Sequence, residues 1–142
     1  MPTSTANATW EGGLRGGNGS YSGQTGFTGG YNFGSRFVGD GSASNPEELL
    51  AAAEASCFSM ALAGGLEKAG FAPQRVQTSA RCTVEKVGDG FTITSMKLAV
   101  RAAVPGVDAA KFREIVDATK QGCPVSRALA GVEISVESAE LE

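Results

Sequence analysis

The chain has 142 residues, of which 42% are apolar, and a formal net charge of −3. This size and apolar content predict one globular domain, residues 1–142, with a substantial hydrophobic core. Lysine and arginine are scattered without a basic stripe, so binding to nucleic acid is not expected. No signal-peptide pattern is visible at the N-terminus, and we therefore expect a cytoplasmic protein with reduced thiols.

The first forty residues are rich in glycine, since twelve of the twenty glycines lie at or before Gly41. Aromatic residues recur through the same segment, which is not typical of a disordered arm. Short antiparallel strands joined by glycine turns account for both features. We predict these strands at 6–11, 19–23 and 31–37.

A long apolar stretch follows and predicts a central helix from Pro46 to about Lys68. Asn45 is a favourable N-cap residue, and Glu48, three positions later, can complete a capping box. The helix is apolar or small on every face, which predicts that it is enclosed on all sides. It is nearly long enough to cross a bilayer, but its polar residues and glycines favour a buried helix in a soluble protein without a membrane partner.

The C-terminal half alternates between strand and helix patterns. A hairpin with a β-bulge in its second strand comes first, and Asp108 caps the helix after it. A short helix then begins at Cys123, and a strand follows. This order of elements predicts an α+β fold. The predicted strands are 76–84, 91–103 and 132–136. The predicted core-facing residues are Met96, Leu98, Val100, Ala102, Phe112, Ile115, Val116 and Thr119.

The chain contains three cysteines and no histidine. No thiol can then be activated by a Cys–His pair, and metal sites that need histidine are excluded. Cys123 precedes a proline that begins a helix, so unpaired backbone N–H groups are expected to favour its thiolate. Cys57 lies in the middle of the long helix, where burial disfavours a thiolate and reactivity requires a nearby cation. Cys82 belongs to an inward strand row and is predicted to be structural.

Arg36 is the candidate cation, because it lies among apolar residues shortly before the long helix. A guanidinium beside Cys57 would stabilise its thiolate and offer forked donors to an oxygen substrate. Glu47 is the carboxylate available to hold this arginine. Ten residues of helix, however, separate Glu47 from Cys57 by about 15 Å along the axis. Either the helix breaks between them, or Arg36 and Glu47 reach the sulfur of a second subunit.

Glu54 lies three residues before Cys57, where a carboxylate opposes thiolate formation. We expect it to pair with an arginine, for which Arg127 is a candidate, or to reach solvent at a dimer edge. A catalytic role for Glu54 is the less favoured alternative.

Two segments resemble the signature of the OsmC/Ohr family of organic hydroperoxide reductases: NPEELLAAA at 45–53 and CFSMAL at 57–62. Three more resemble its OsmC branch rather than its Ohr branch: SRF at 35–37, VPGVD at 104–108 and GCPVS at 122–126. The similarity extends over nearly the whole chain. It implies the OsmC-like α+β fold, in which two long central helices of an intertwined homodimer are wrapped by antiparallel β-sheets and the active sites lie at the subunit interface.

The resemblance also implies a thiol-dependent peroxidase that reduces organic hydroperoxides, and inorganic ones more slowly, in oxidative and osmotic stress defence. Cys57 matches the peroxidatic cysteine, which forms a sulfenic acid, and Cys123 matches the resolving cysteine, which completes an intramolecular disulfide. Arg36 and Glu47 match the family's arginine and glutamate. An external dithiol, of the lipoyl type in the Ohr branch, recycles the disulfide, and no cofactor or metal is implied. The candidate pocket walls are Phe37, Phe58, Met60 and Val125.

Two other functions would use the same thiols. One is a redox sensor without rapid turnover, although the lack of a basic recognition element argues against a sensor linked to DNA. The other is an OsmC-like binding protein that has lost turnover, which the presence of Arg36, Glu47, Cys57 and Cys123 argues against.

Overall fold

The computed structural model describes residues 1–142, and the chain divides into an N-terminal unit, Met1–Leu49, and a C-terminal unit, Leu50–Glu142. The strands are β1 (Ala6–Glu11), β2 (Asn18–Gly23), β3 (Thr28–Tyr31), β4 (Arg75–Val87), β5 (Gly90–Ala103) and β6 (Glu133–Leu141). The helices are α1 (Pro46–Lys68), α2 (Ala109–Gly122) and α3 (Pro124–Ala128). The mixture of helix and sheet confirms the predicted α+β class.

The N-terminal unit contains an antiparallel sheet in the order β1-β2-β3. Its aromatic rings pack together: the ring centroids of Tyr31 lie 5.5 Å from Trp10 and 6.2 Å from Tyr21. Gly19 pairs with Tyr31 across the strands, and a Cβ atom at Gly19 would overlap the Tyr31 ring. The glycines and aromatic residues of this segment are therefore parts of one packing arrangement.

The predicted strand at 31–37 is wrong, whereas those at 6–11 and 19–23 are confirmed within one residue. β3 ends at Tyr31, and residues Gly34–Val38 form one turn of π-helix. The Asn32 side chain accepts from the backbone N–H of Ser35 at 2.8 Å, and the Ser35 hydroxyl accepts from the backbone N–H of Asn32 at 3.0 Å. These local bonds compete with strand pairing and turn the chain before Arg36.

The start of α1 is capped as predicted. The Asn45 side chain accepts from the backbone N–H of Glu48 at 2.8 Å. The Glu48 carboxylate accepts from the hydroxyl of Ser44 at 2.8 Å, in place of the capping-box contact expected with the Asn45 backbone. The side-chain NH2 group of Asn45 donates to the carbonyl of Ser35 at 3.0 Å, so the cap also holds the π-helical turn.

The C-terminal unit contains the second sheet, in the order β4-β5-β6. β4 and β5 form the predicted hairpin, and Thr94 is the extra residue of the predicted bulge, because Thr83 and Val84 pair with Ser95 and Ile93. β6 lies parallel to β5, so this sheet is mixed and not purely antiparallel as expected. The helices α2 and α3 supply the crossover that a parallel strand requires.

The core of the C-terminal unit lies between β5, α2 and one face of α1. The four predicted residues of β5 and the four of α2 are all buried, which confirms both rows. The N-cap of α2 is also confirmed, since the Asp108 carboxylate accepts from the backbone N–H of Lys111 at 2.8 Å. α1 contributes Phe58, Leu62 and Leu66 to this core.

The prediction that α1 is enclosed on all sides is wrong. Its face bearing Leu49, Ala53, Ser56 and Met60 is exposed, and Met60 is 81% exposed. By length and hydropathy alone α1 would be a candidate for crossing a membrane. Its other face packs into the core of the C-terminal unit, as in the core helix of a globular domain.

Candidate active site

The two cysteines singled out from the sequence lie side by side in the C-terminal unit. The thiols of Cys57 and Cys123 are hydrogen-bonded to each other, with 3.1 Å between the two Sγ atoms. Cys57 is half-buried in α1, whereas Cys123 is fully buried at the junction of α2 and α3. No cysteine is in a disulfide. A disulfide needs the sulfurs only about 1 Å closer, so the pair is arranged for reversible oxidation.

The surroundings of Cys57 raise the pKa of its thiol. Desolvation by burial is the largest cause, followed by the hydrogen bond with Cys123. A hydrogen bond with the backbone of Val125 acts in the opposite direction, and the charges of Cys123 and Glu54 add smaller upward effects. Cys57 therefore has a nucleophile's position but not, within this unit, a thiolate's environment.

The start of α3 acts on a different sulfur from the one expected. Cys123 is the N-cap residue of α3, as predicted, but its side chain makes no capping hydrogen bond. Its thiol points to Cys57 instead, and the hydrogen bond from the helix start reaches Cys57 through Val125. The expected contact between backbone N–H groups and the Cys123 sulfur is therefore wrong, because the Cys123 side chain makes no capping hydrogen bond.

Arg36 and Glu47 form an ion pair in the N-terminal unit. Glu47 Oε1 accepts from Arg36 Nη2 at 2.9 Å and from Nε at 3.1 Å. The Glu47 side chain is 5% exposed and that of Arg36 is 36% exposed. The guanidinium carbon also lies 5.0 Å from the ring centroid of Phe37. The buried carboxylate thus fixes the guanidinium while leaving some of its N–H groups available to another molecule.

A cavity of about 240 Å³ lies beside this ion pair within the N-terminal unit. Arg36 and Phe37 line it, together with Trp10, Leu14, Tyr31, Asn32 and Phe33. Of these, only Arg36 and Phe37 had been named as site residues. The recurrence of aromatic residues in a glycine-rich segment was the sequence signal that could have indicated an apolar pocket.

Glu54 has neither of the partners expected from the sequence. It is fully buried, so it does not reach solvent, and it pairs with no arginine. Its Oε1 accepts from the hydroxyl of Ser126 in α3, while Oε2 has no hydrogen-bond partner. The sequence indicated that Glu54 was unusual but gave no sign of this contact between α1 and α3.

The remaining candidate pocket residues lie in different settings. Phe58 is fully buried in the hydrophobic core, and Met60 is on the exposed face of α1. Val125 is half-buried in α3, where its backbone bonds to Cys57. α1 continues without a break from Pro46 to Lys68, so the alternative of a helix break between Glu47 and Cys57 is excluded.

Comparison with known proteins shows which family the chain belongs to. A family model described as OsmC-like protein matches residues 39–137. The peroxiredoxin OsmC of Escherichia coli (strain K12) is 45% identical over 124 residues, which are 86% of each chain. The chain belongs to the OsmC family. The resemblance of the sequence motifs to this family is thus confirmed.

Other members of the wider OsmC/Ohr family are similar as well. The organic hydroperoxide resistance protein of Xanthomonas axonopodis pv. citri (strain 306) is 36% identical over 95 residues, 66% of this chain and 63% of that protein. The crystal structure of the organic hydroperoxide resistance protein OhrB of Bacillus subtilis has a TM-score of 0.74 at 26% identity and covers 94% of this chain and 97% of that one. This OsmC family member therefore has the OsmC/Ohr fold and is an oxidoreductase of the peroxiredoxin type.

Proposed function

We propose that this chain is a thiol-dependent peroxidase that reduces organic hydroperoxides to alcohols. The contact of 3.1 Å between the Sγ atoms of Cys57 and Cys123 carries the proposal. The peroxidase activity named for the relatives supports it, because their similarity covers the segments that hold both cysteines.

In the first step the Cys57 thiolate attacks one oxygen of the hydroperoxide. The O–O bond breaks, the sulfur keeps a hydroxyl group as sulfenic acid, and the alkoxide leaves with a proton as the alcohol. In the second step the sulfur of Cys123 attacks the sulfenic sulfur. The S–O bond breaks, and the hydroxyl leaves with the Cys123 proton as water, so that a disulfide remains.

Arg36 stabilises the Cys57 thiolate and the developing negative charge on the peroxide oxygens. The ion pair with buried Glu47 holds the guanidinium in one orientation, which is the condition for such stabilisation. The raised pKa of Cys57 within its own unit explains why a cation is needed. No lysine or arginine is among the groups that act on Cys57 there.

The active form is a homodimer in which Arg36 and Glu47 of one subunit act on the partner subunit's Cys57. The continuous α1 helix separates Glu47 from the Cys57 of its own chain by about 15 Å along the axis. The exposed face of α1, with Leu49, Ala53, Ser56 and Met60 at helical spacing, is the surface on which a second α1 can pack.

The substrate is an organic hydroperoxide whose apolar group enters the aromatic cavity beside Arg36. Trp10, Tyr31 and Phe33 give this cavity apolar walls, and Arg36 supplies the group that recognises the peroxide oxygens. Hydrogen peroxide has no apolar group to place there and is reduced more slowly.

An external dithiol, of the lipoyl type, reduces the disulfide by thiol–disulfide exchange, and no cofactor or metal takes part. The protein acts in the cytoplasm, where reductants keep thiols reduced. Its task is defence against oxidative and osmotic stress.

Stopped-flow consumption of cumene hydroperoxide with dihydrolipoamide tests this function. We expect Cys57→Ser to abolish turnover, because it removes the nucleophile. Cys123→Ser should still react once with peroxide but should recycle poorly, since its sulfenic acid cannot form the internal disulfide. Cys82→Ser is the matched control, because Cys82 is half-buried in β4 and should be replaceable without loss of turnover.

Consumption no faster than that by the dithiol alone would contradict a peroxidase function. Slow turnover with quantitative formation of the Cys57–Cys123 disulfide would instead support a redox sensor. A wild-type protein that binds cumene hydroperoxide without consuming it would support a binding protein.

Mixing two inactive variants tests the shared active site. Arg36→Ala and Cys57→Ser subunits refolded together should regain about a quarter of the wild-type activity, since half of the dimers are mixed and each has one complete site. No recovery, in a sample whose mixed dimers are verified by mass, would show that Arg36 acts within its own chain or not at all.

A further inference from the structure

One buried charged side chain has no role in the proposed reaction. Glu54 is fully buried in α1. Its carboxylate accepts a single hydrogen bond, which the Ser126 hydroxyl donates to Oε1. Ser126 is itself buried. A carboxylate has sites for about four hydrogen bonds, and a buried one with a single donor is costly to retain. We call this contact the Glu54–Ser126 bridge.

The bridge lies one helical turn from the thiol pair. Glu54 is three residues before Cys57 on α1, and Ser126 is three residues after Cys123 on α3. Residues three apart lie on the same helix face. Two contacts therefore join these faces, one between the sulfurs and one between Glu54 and Ser126. Together they fix both the distance and the rotation of α3 against α1, which one contact alone does not.

We propose that Glu54 is a positioning residue for the resolving step, acting through Ser126 to hold Cys123 in line with Cys57. The inference rests on the proposed function, because it assumes that Cys57 is oxidised first and that Cys123 resolves it. A second hydroperoxide competes with Cys123 for the sulfenic acid, transferring its oxygen to give sulfinic acid and releasing a second alcohol. The bridge favours the disulfide in this competition by keeping the two sulfurs in contact.

The charge of Glu54 has a separate effect that can be measured. Cys123, the N-cap residue of α3, and Glu54 on α1 are the two titratable groups that act on Cys57, and both raise its pKa. Replacing Glu54 by glutamine removes the charge but retains an oxygen that accepts from Ser126. The pH dependence of the first step then reports the charge, and the ratio of sulfinic acid to disulfide reports the bridge.

Three variants test the proposal: Glu54→Ala removes charge and bridge, Glu54→Gln removes only the charge, and Ser126→Ala removes only the bridge. Each is treated with increasing cumene hydroperoxide, and the sulfinic acid and disulfide forms are counted by mass spectrometry. We expect Glu54→Ala and Ser126→Ala to raise the ratio of sulfinic acid to disulfide about tenfold or more, because small misplacements of reacting atoms slow a reaction strongly. Glu54→Gln should keep the wild-type ratio, while its first step reaches full rate at a lower pH.

Ser59→Ala is the matched control, because it also removes a hydroxyl by which α1 bonds to a neighbouring element, here Thr78 of β4 at 2.8 Å. It should leave the ratio unchanged. A wild-type ratio in Ser126→Ala, or a raised ratio in Glu54→Gln, would overturn the proposal. Where Glu54→Ala does not fold, these other two variants decide. A wild-type protein that forms neither sulfenic acid nor disulfide would instead contradict the proposed function.

Discussion

The thiol pair in the C-terminal unit and the ion pair in the N-terminal unit are opposite kinds of environment. Cys57 and Cys123 lie among apolar residues, where desolvation raises the pKa of Cys57. Arg36 is held by a buried carboxylate and remains 36% exposed next to an aromatic cavity. The first has a nucleophile without a cation, and the second has a fixed cation without a nucleophile.

Neither region alone supplies all the groups that the proposed reaction needs. An apolar setting protects the sulfenic acid and keeps the resolving thiol close, but it also disfavours the thiolate on which the first step depends. A buried carboxylate orients the guanidinium but would oppose a thiolate placed beside it. The proposed homodimer supplies the missing cation, because Arg36 of one subunit acts there on the partner subunit's Cys57.

The largest effect should come from removing the cation. We expect Arg36→Ala to lower kcat/KM for cumene hydroperoxide by about 100- to 1,000-fold, as the loss of one preorganised donor does in other enzymes. Arg113→Ala is the control, because Arg113 is also paired with a carboxylate, Asp117 on α2, but lies on the surface. An equal loss in both variants would show that the effect is not specific to Arg36.

The pH dependence of the first step should separate the two environments. The reactive form of Cys57 is the thiolate, and its pKa is raised by burial, by Cys123 and by Glu54. In Arg36→Ala the rate of the first step should therefore keep rising with pH beyond the range in which an ordinary thiol is already ionised. The wild type should level off at lower pH, because the guanidinium favours the thiolate. Both pH profiles are measured by stopped-flow under single-turnover conditions. Identical profiles for the wild type and Arg36→Ala would show that Arg36 has no electrostatic role.

A smaller effect should follow from weakening the support of Arg36. Glu47→Gln keeps an oxygen that can accept from the guanidinium but loses the charge, so we expect kcat/KM to fall about tenfold, the equivalent of one charge-assisted hydrogen bond. Glu48→Gln is the matched control, since the neighbouring Glu48 accepts from Ser44 at the helix start and does not contact Arg36. A loss as large as that of Arg36→Ala would mean that Glu47 does more than orient the arginine.

The smallest effect should come from the cap that connects α1 with the turn bearing Arg36. Asn45→Ala removes the bond from the Glu48 N–H and the bond to the Ser35 carbonyl, and should lower the free energy of unfolding by about 1 kcal/mol. Asn45→Asp keeps the cap and loses only the Ser35 bond. Activity and urea unfolding are measured on both variants. A few-fold loss of kcat/KM in Asn45→Asp at unchanged stability would show that the bond to Ser35 positions the turn bearing Arg36.

Much of the fold follows from local patterns. The rows of β5 and α2 were predicted because alternation and helical spacing report directly which side chains face the core. The bounds of α1 followed from the Asn45 cap at its start and from the length of the apolar stretch, which reaches about Lys68. The strand predicted at 31–37 failed because the hydrogen bonds between Asn32 and Ser35 outweigh the aromatic residues that suggested a strand.

The candidate site also has parts that the sequence indicated and parts that it did not. Residue types and motifs identified Cys57, Cys123, Arg36 and Glu47, since thiols, a guanidinium and a carboxylate are rare in apolar segments. No pattern along the chain indicated that Val125 bonds to Cys57 or that Ser126 donates to Glu54. Such contacts join residues about seventy positions apart, and their existence depends on how α3 packs against α1.

The sequence by itself determined the family, the helix and strand types, and the residues available for thiol chemistry, because these depend on side-chain chemistry and local periodicity. Only the tertiary structure decided that Cys123 faces Cys57 at 3.1 Å, that Glu54 bonds to Ser126 and not to an arginine, and that one face of α1 stays exposed. The physical reason is that pKa values and reactivity are set by burial and by contacts across the fold, which residues close in sequence do not specify.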